Sequence, residues 1–225
     1  MKLVHPDWER QLVLDGEKVP ILAIENESCL YQTLLGLREA EQWGTAAYVL
    51  SQGDKIWEMK KKFVLLPSPF ALQFGDRKLM GKLMQQMKER AYEEEYMAET
   101  HEACGQLLRY MEHLSMAAEV PLSYDLDIDV GEVMKALHLH IDTAGLSLAE
   151  QMLLFMKTWV SYLGESCFCF VQFRNFLPKD IRQEFYRNAK EEGLSFFLLE
   201  GPICDIMQKE DVFLIDKDLC QIFDE

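Results

Sequence analysis

The sequence lacks the long apolar runs and leader segments that direct a protein into or across a membrane. No stretch of the chain approaches the ~20 apolar residues of a membrane-spanning helix. The first residues, MKLVHPDW, contain neither an apolar run nor a small-residue cleavage site. The six cysteines form no CxxC pair, which favours reduced core thiols over disulfides or a zinc site. We therefore expect a cytoplasmic protein that does not bind a membrane.

Positive charge is also scarce. The 225 residues include 23 Lys and Arg against 38 Asp and Glu, so the formal net charge is −15. Nucleic-acid-binding domains are usually basic, and a uniformly acidic surface would exclude that class. The chain is 49% apolar, which excludes a wholly disordered protein. A chain of this size buries about 70–75% of its unfolded surface, so it needs no disulfide or metal to form a core.

What the sequence does contain is an alternation of apolar strand-like runs with helical patterns. The runs at 19–24, 167–173 and 194–199 are almost entirely apolar, as is typical of buried central strands. The alternation predicts an α/β fold with a mostly parallel sheet flanked by helices. Further strands are predicted at 46–51, 62–66, 122–129 and 138–142, and helices at 29–40, 131–137, 147–163 and 178–189.

The segment 76–120 contains no proline, and its pattern differs from the alternation of strands and helices around it. Asp76 is suited to cap a helix N-terminus, and Leu79, Leu83 and Met87 recur at helical spacing. We predict two long helices, with a bend between 92 and 100, inserted into the α/β fold. The predicted domains are an α/β head, residues 1–75 and 121–225, and a helical leg, residues 76–120.

The loop after the first apolar run lacks the residues of a phosphate-binding loop. Its sequence, Glu25-Asn26-Glu27-Ser28, has no glycine to bring backbone amides close to phosphate and no lysine to neutralise it. Nucleophile elbows and HExxH motifs are absent from the chain as well. We therefore predict that the protein is not an enzyme.

Carboxylates alternate with apolar residues between 122 and 129. On a strand, Asp125, Asp127 and Asp129 would share one face at about 7 Å spacing, given ~3.3 Å per residue. The EF-hand pattern fails, because the sixth position from Asp125 is Val130 rather than glycine. The residues alone leave two interpretations open: a solvated strand face, or a hard-cation site that Glu119 and Glu132 complete.

Basic residues concentrate in two short segments. Residues 76–92 include five basic side chains and only two acidic ones, and Lys78 and Lys82 share a helix face. The second cluster comprises Lys60, Lys61 and Lys62, shortly after Trp57. These lysines are either ordinary solubilising residues or a surface that follows the phosphates of nucleic acid.

Four stretches, in their order along the chain, are similar to a known family. They are VLDGEKVPILAIENES, LSYDLDIDVGEVMKALHLHI, FLLEGP and FLIDKDLCQIF. The chain resembles the small accessory adaptation proteins of type II-A CRISPR systems, which take part in the acquisition of new spacers. The resemblance implies a head related to P-loop ATPases without their catalytic residues, and an inserted helical leg.

The resemblance also implies a function and partners. Family members form ring-shaped homotetramers that bind and thread onto the ends of double-stranded DNA. Ca²⁺ holds the assembly in its binding-competent shape. The rings associate with the RNA-guided nuclease and the integrase complex of the same system. Positions matching the family's calcium ligands are Glu119, Asp125, Asp127 and Glu132. DNA-facing positions are Lys78, Lys82 and Lys88, with Lys60, Lys61 and Lys62 as second choices.

The resulting hypothesis is a non-catalytic, sequence-independent ring that binds DNA ends during spacer acquisition. The alternative is an acidic interaction scaffold of the adaptation complex that does not touch DNA. The two hypotheses differ in whether the local basic segments outweigh the net charge of −15.

Overall fold

A computed structural model describes residues 1–44 and 47–223. The chain folds into two compact units, one formed by Met1–Gln73 with Thr143–Glu225 and the other by Phe74–Asp142. The strands are β1 (Lys2–Val4), β2 (Leu12–Val13), β3 (Val19–Ile24), β4 (Val49–Gln52), β5 (Lys55–Trp57), β6 (Phe63–Leu66), β7 (Cys167–Val171), β8 (Ser195–Glu200), β9 (Glu210–Ile215) and β10 (Gln221–Phe223). The helices are α1 (Glu27–Trp43), α2 (Met59–Lys62), α3 (Arg77–Ala91), α4 (Glu94–Met116), α5 (Val130–Ala136), α6 (Leu148–Leu163) and α7 (Lys179–Glu191).

The first unit is built on a six-stranded sheet with the order β10-β9-β3-β8-β7-β6. Its strands are parallel except for β10, which runs antiparallel at the edge. Every residue of β3 and β7 is buried, as their continuous apolar runs predict. Pro20 fits in the central strand β3 because pairing with β8 begins only at Ile21. The prediction of an α/β fold with a mostly parallel sheet is confirmed.

A second, antiparallel sheet has the order β2-β1-β4-β5. Leu3 of β1 and Leu50 of β4 pack into the same apolar cluster as Leu22 of β3 and Leu37 of α1. The strand predicted at 46–51 is observed as β4, in this smaller sheet, and Ala46 lies outside the described residues. This small sheet therefore extends the core on the face of the main sheet that α1 covers.

Aromatic rings fill the opposite face of the main sheet. Phe170 of β7 lies 5.9 Å from Phe185 of α7, and Phe168 lies 6.4 Å from Phe155 of α6, measured between ring centroids. Alternate residues of β7, Cys167 and Cys169, belong instead to the cluster on the α1 face. The sheet is thus flanked by helices, as predicted, and the helices lie on both of its faces.

The prediction that the cysteines are core residues is only partly right. All six are free thiols, and Cys167 and Cys169 are fully buried within β7. Cys204 and Cys220 are exposed, because each lies in a connection beyond the end of a strand rather than in an apolar run that packs.

The second unit is helical. Asp76 caps α3 by accepting hydrogen bonds from the amides of Lys78 and Leu79, at 2.8 and 3.0 Å. The chain turns at Tyr92 and Glu93, within the predicted bend, and α3 packs against both α4 and α5. This unit extends to Asp142, whereas the sequence pattern placed 121–142 with the α/β part.

Two predicted strands, at 122–129 and 138–142, are wrong. Residues 121–129 have no regular structure, and Asp129 instead caps α5 through the Gly131 amide. His138 has a φ of 52°, which no strand residue adopts, and its carbonyl lies 2.9 Å from His140 Nδ1. An alternating pattern forms a strand only where a neighbouring strand supplies hydrogen bonds, and neither segment has one.

Across the described ranges, no helix combines the length and apolarity needed to cross a membrane.

A charged cluster is buried at the carboxyl ends of β7 and β8. Glu200 is 3% exposed, and its Oε1 accepts a hydrogen bond from the Arg174 amide at 3.0 Å. Burial raises the pKa of Glu200 to about 7, although the Arg174 amide and the charges of Arg174 and Arg182 oppose the shift. The buried carboxyl group is therefore partly protonated at neutral pH.

This raised pKa predicts that Glu200 lowers stability as the pH rises. The folded state holds a proton that the unfolded chain, with a carboxyl pKa near 4.5, releases. The stabilising contribution is complete below pH ~4.5 and is lost as the pH rises through ~7. Glu200→Gln keeps an acceptor but cannot ionise, so we expect it to be more stable than wild type at pH 8, by up to roughly 3 kcal/mol.

Urea unfolding at pH 5 and pH 8 measures the difference. Glu184→Gln is the matched control, because the Glu184 side chain is 62% exposed. Its stability should follow wild type at both pH values. A Glu200→Gln variant that is less stable than wild type at pH 8 would contradict the prediction.

Candidate nucleic-acid and calcium sites

Helix α3 concentrates positive charge in the helical unit. It carries five basic residues and one acidic residue, whereas α4 carries five acidic residues and one arginine. Lys78 and Lys82 are exposed and lie one turn apart, so their ammonium groups project from the same face. Lys82 donates a hydrogen bond to Gln85 Oε1 at 3.2 Å, and neither lysine forms an ion pair within the described ranges. Both charges are available to an anionic partner.

Lys88 is placed differently from the other two lysines of α3. Its Nζ lies 2.8 Å from Asp129 Oδ2, and the hydrogen bond to Asp129 raises the pKa of Lys88, with a smaller contribution from the charge of Asp127. The same bond lowers the pKa of Asp129. The ammonium of Lys88 is therefore already compensated, which makes it a weaker candidate for phosphate binding than Lys78 or Lys82.

The second basic cluster lies in the α/β unit and is less concentrated than the sequence suggests. Helix α2 is a single turn, so its three consecutive lysines point in different directions, about 100° apart. Lys61 pairs with Glu58 at 2.9 Å, and the Nζ of Lys62 lies 5.5 Å from the ring centroid of Trp57. Lys60 alone has no ion pair or ring contact among the described residues, and its stem lies alongside Gly44.

The carboxylates predicted to bind calcium are not brought together. Asp125 and Asp127 are exposed in the irregular segment 121–129, and Glu132 pairs with Lys135 at 2.7 Å. Nowhere in residues 1–44 and 47–223 do three or more His, Cys, Asp or Glu side chains form a group that could hold a metal ion. Carboxylates have the right chemistry for Ca²⁺. In the described structure, however, the predicted ligands do not form a coordination shell: Glu119, Asp125, Asp127 and Glu132.

Asn26 occupies the loop between β3 and α1, the loop whose sequence lacks the residues of a phosphate-binding loop. Its Oδ1 accepts a hydrogen bond from the Cys29 amide at 3.0 Å, and its Nδ2 donates to the Lys217 carbonyl at 2.9 Å. The side chain thus caps one of the free amides at the N-terminus of α1, where a phosphate would bind, and Glu27 adds a negative charge to the first turn. This geometry does not fit a nucleotide phosphate.

An exposed apolar stripe on α4 was missed by the sequence reasoning. Leu107, Tyr110 and Leu114 are 43%, 59% and 46% exposed, and they follow one another at helical spacing. The prediction of two long helices accounts for one apolar face of α4, the face in contact with α3. Helix α4 has a second set, Cys104 and Leu108, that is partly buried, so the exposed stripe faces elsewhere. Two adjacent apolar stripes on one helix are the feature that could have revealed this surface.

Comparison with known proteins identifies one family. The family model described as CRISPR-associated protein (Cas_Csn2) matches residues 44–219, which is most of the chain. A search of the curated proteins finds no match.

Proposed function

Because this chain belongs to the CRISPR-associated Csn2 family, we propose that it is a non-catalytic protein of spacer acquisition that binds the ends of double-stranded DNA. The family gives the role in CRISPR adaptation, and the observation that supports DNA binding is the basic helix α3 in a protein of charge −15. Lys78 and Lys82 contact phosphates and release counterions, so binding is independent of sequence and weakens steeply with salt.

The exposed stripe on α4 supports assembly into a homotetrameric ring. Leu107, Tyr110 and Leu114 would be costly to leave in water, and contiguous exposed apolar patches mark interaction surfaces. A closed ring multiplies weak contacts from each subunit into useful affinity. Since the protein is acidic on average, its exterior repels the duplex, and DNA enters the basic bore from an end.

The α/β unit is proposed to be a P-loop-ATPase-like head that has lost its nucleotide site. The parallel order β3-β8-β7-β6 and the strand–loop–helix from β3 to α1 support this relationship. Asn26 and Glu27 then occupy the place of the phosphate cradle. The head would dock the RNA-guided nuclease and the integrase complex.

Calcium dependence is proposed from the family resemblance and from ligand chemistry alone. Glu119, Asp125, Asp127 and Glu132 lie within one short stretch and offer carboxylate oxygens, which Ca²⁺ prefers. The described structure does not gather these carboxylates, so Ca²⁺ would act on DNA binding through the assembly of the ring and not through a contact to DNA.

The alternative function is an acidic scaffold that binds adaptation proteins but not DNA. The observation that favours it is the compensation of Lys88 by Asp129 and of Lys61 by Glu58, which reduces the positive charge free for phosphate. Acidic helix α4 would then serve as the docking surface.

Binding to linear and closed circular duplex of the same sequence tests the proposal. Affinity and solution mass are measured with Ca²⁺ and with chelator, at low salt. We expect a tetramer that binds linear DNA, binds the circular form weakly, and loses binding in chelator. A monomer in both conditions would contradict the ring, and absence of binding to either DNA would favour the scaffold. DNA binding that is unchanged in chelator would contradict only the proposed dependence on Ca²⁺.

A further inference from the structure

A cavity of about 480 Å³ opens beside the carboxyl ends of β3 and β9. The two strands are parallel neighbours in the main sheet, so their carboxyl ends lie at the same edge. Open α/β sheets bind ligands in the crevice outside the carboxyl ends of their strands. The crevice itself is closed, because the Glu25 amide donates to the Ile215 carbonyl at 2.8 Å and Asn26 bonds to Lys217. The open space lies next to it, against α1.

Aromatic rings form one wall of this cavity. The ring centroid of His5 lies 4.6 Å from that of Tyr48 and 5.5 Å from that of Trp8. Tyr48 approaches α1 closely because Gly36 has no side chain: a Cβ there would lie 3.0 Å from Tyr48 Cε2. Gln221 fixes the segment that carries two of the rings, His5 and Trp8, by donating to the Asp7 carbonyl at 2.7 Å and accepting from the Glu9 amide at 2.8 Å. The wall is therefore preorganised.

The polar groups of the cavity disfavour an anion. Its described lining includes one carboxylate, that of Asp7, and neither lysine nor arginine. Burial lowers the pKa of His5, against a smaller opposing effect of Asp7, so the imidazole is neutral at neutral pH. Nδ1 of His5 accepts a hydrogen bond from the Asp7 amide at 3.2 Å, which places the ring proton on Nε2. Amide and hydroxyl groups on α1, from Gln32 and Thr33, complete the lining.

We infer that this cavity binds an uncharged aromatic heterocycle of the size of a purine nucleoside. The aromatic wall matches a planar ring system, since bases bind proteins by stacking on aromatic side chains. Neutral amides, a hydroxyl and an imidazole match the donors and acceptors on the edge of a heterocycle. The described lining contains Asp7 and no lysine or arginine, which disfavours a phosphorylated ligand. The inference is independent of DNA binding, which involves the helical unit.

Calorimetric titration with adenosine, guanosine and adenosine 5′-monophosphate tests the inference. Gln32 lines the cavity from an exposed position on α1, so Gln32→Trp fills the space without disturbing the core. Gln42→Trp is the matched control, since Gln42 is exposed on the same helix and does not line the cavity. Thermal unfolding of both variants verifies that they fold.

The expected result is saturable one-to-one binding of at least one nucleoside, eliminated by Gln32→Trp and preserved by Gln42→Trp. The monophosphate should bind about tenfold more weakly than its nucleoside, because its charge meets Asp7 without a compensating cation. Failure of both nucleosides to saturate at millimolar concentration would overturn the inference, as would equal binding of the monophosphate or retention of binding by a folded Gln32→Trp. Both variants should bind linear DNA as wild type does. A protein that binds no nucleoside would therefore overturn this inference without contradicting the proposed function.

Discussion

Reversing the charges of Lys78 and Lys82 together is expected to weaken binding of linear duplex by about 10²-fold or more at low salt. Both side chains are exposed on one face of α3 and form no ion pair within the described ranges, so each substitution removes a phosphate contact and adds a repulsive carboxylate. In a ring the loss recurs in every subunit. The slope of log affinity against log salt should fall by ~0.9 for each lost contact.

The control for this variant changes net charge equally at positions without a predicted role. Lys157→Glu/Lys179→Glu serves, because both lysines are about half exposed and already pair with Glu192 and Asp205. The control should bind DNA within a few-fold of wild type. Lys88→Glu should weaken DNA binding less than Lys78→Glu or Lys82→Glu alone, because Asp129 already compensates Lys88. Equal losses in the Lys78/Lys82 variant and in the control would show that only net charge matters, and that α3 is not the DNA surface.

The elements that the sequence predicted correctly are those specified by neighbouring residues. Asp76 and Ser147 begin α3 and α6 through bonds to amides two and three residues on, and Ser147 forms a capping box with Glu150. Likewise, β3 and β7 are continuous apolar runs that become buried in any sheet. These features depend on the identity of residues a few positions apart, which the sequence displays directly.

The errors arise where distant residues decide the structure. The alternation around Asp125 and Asp127 is typical of a strand, but the segment pairs with no other strand and stays irregular. The pairing of Lys88 with Asp129 spans 41 positions, so no local pattern reveals that one predicted DNA contact is compensated. The cavity beside β9 likewise requires His5, Gln32 and Gln221 to meet, and only the topology brings them together.

Replacing Arg174 with methionine is expected to lower the free energy of unfolding by about 3 kcal/mol or more at pH 7. The Arg174 side chain is 7% exposed and its Nη2 lies 3.6 Å from Oε2 of Glu210, whose side chain is fully buried. Arg174 also donates to the carbonyls of Cys204 and Asp205, joining the turn after β7 to the β8–β9 loop. Methionine keeps much of the volume but leaves the Glu210 carboxylate without its cation.

A double-mutant cycle separates lost charge from lost packing. Glu210 accepts hydrogen bonds from the Tyr186 hydroxyl at 3.0 Å and from the Met207 amide at 2.8 Å, and glutamine can accept only part of this set. Glu210→Gln alone should therefore also destabilise, whereas the double variant should be more stable than the sum of the single effects predicts, by about 1–3 kcal/mol. Arg187→Met is the exposed control, since its pair with Glu184 is solvated, and should change stability by about 0.5 kcal/mol or less. Strict additivity in the cycle would mean that Arg174 acts through its loop carbonyls and not through Glu210.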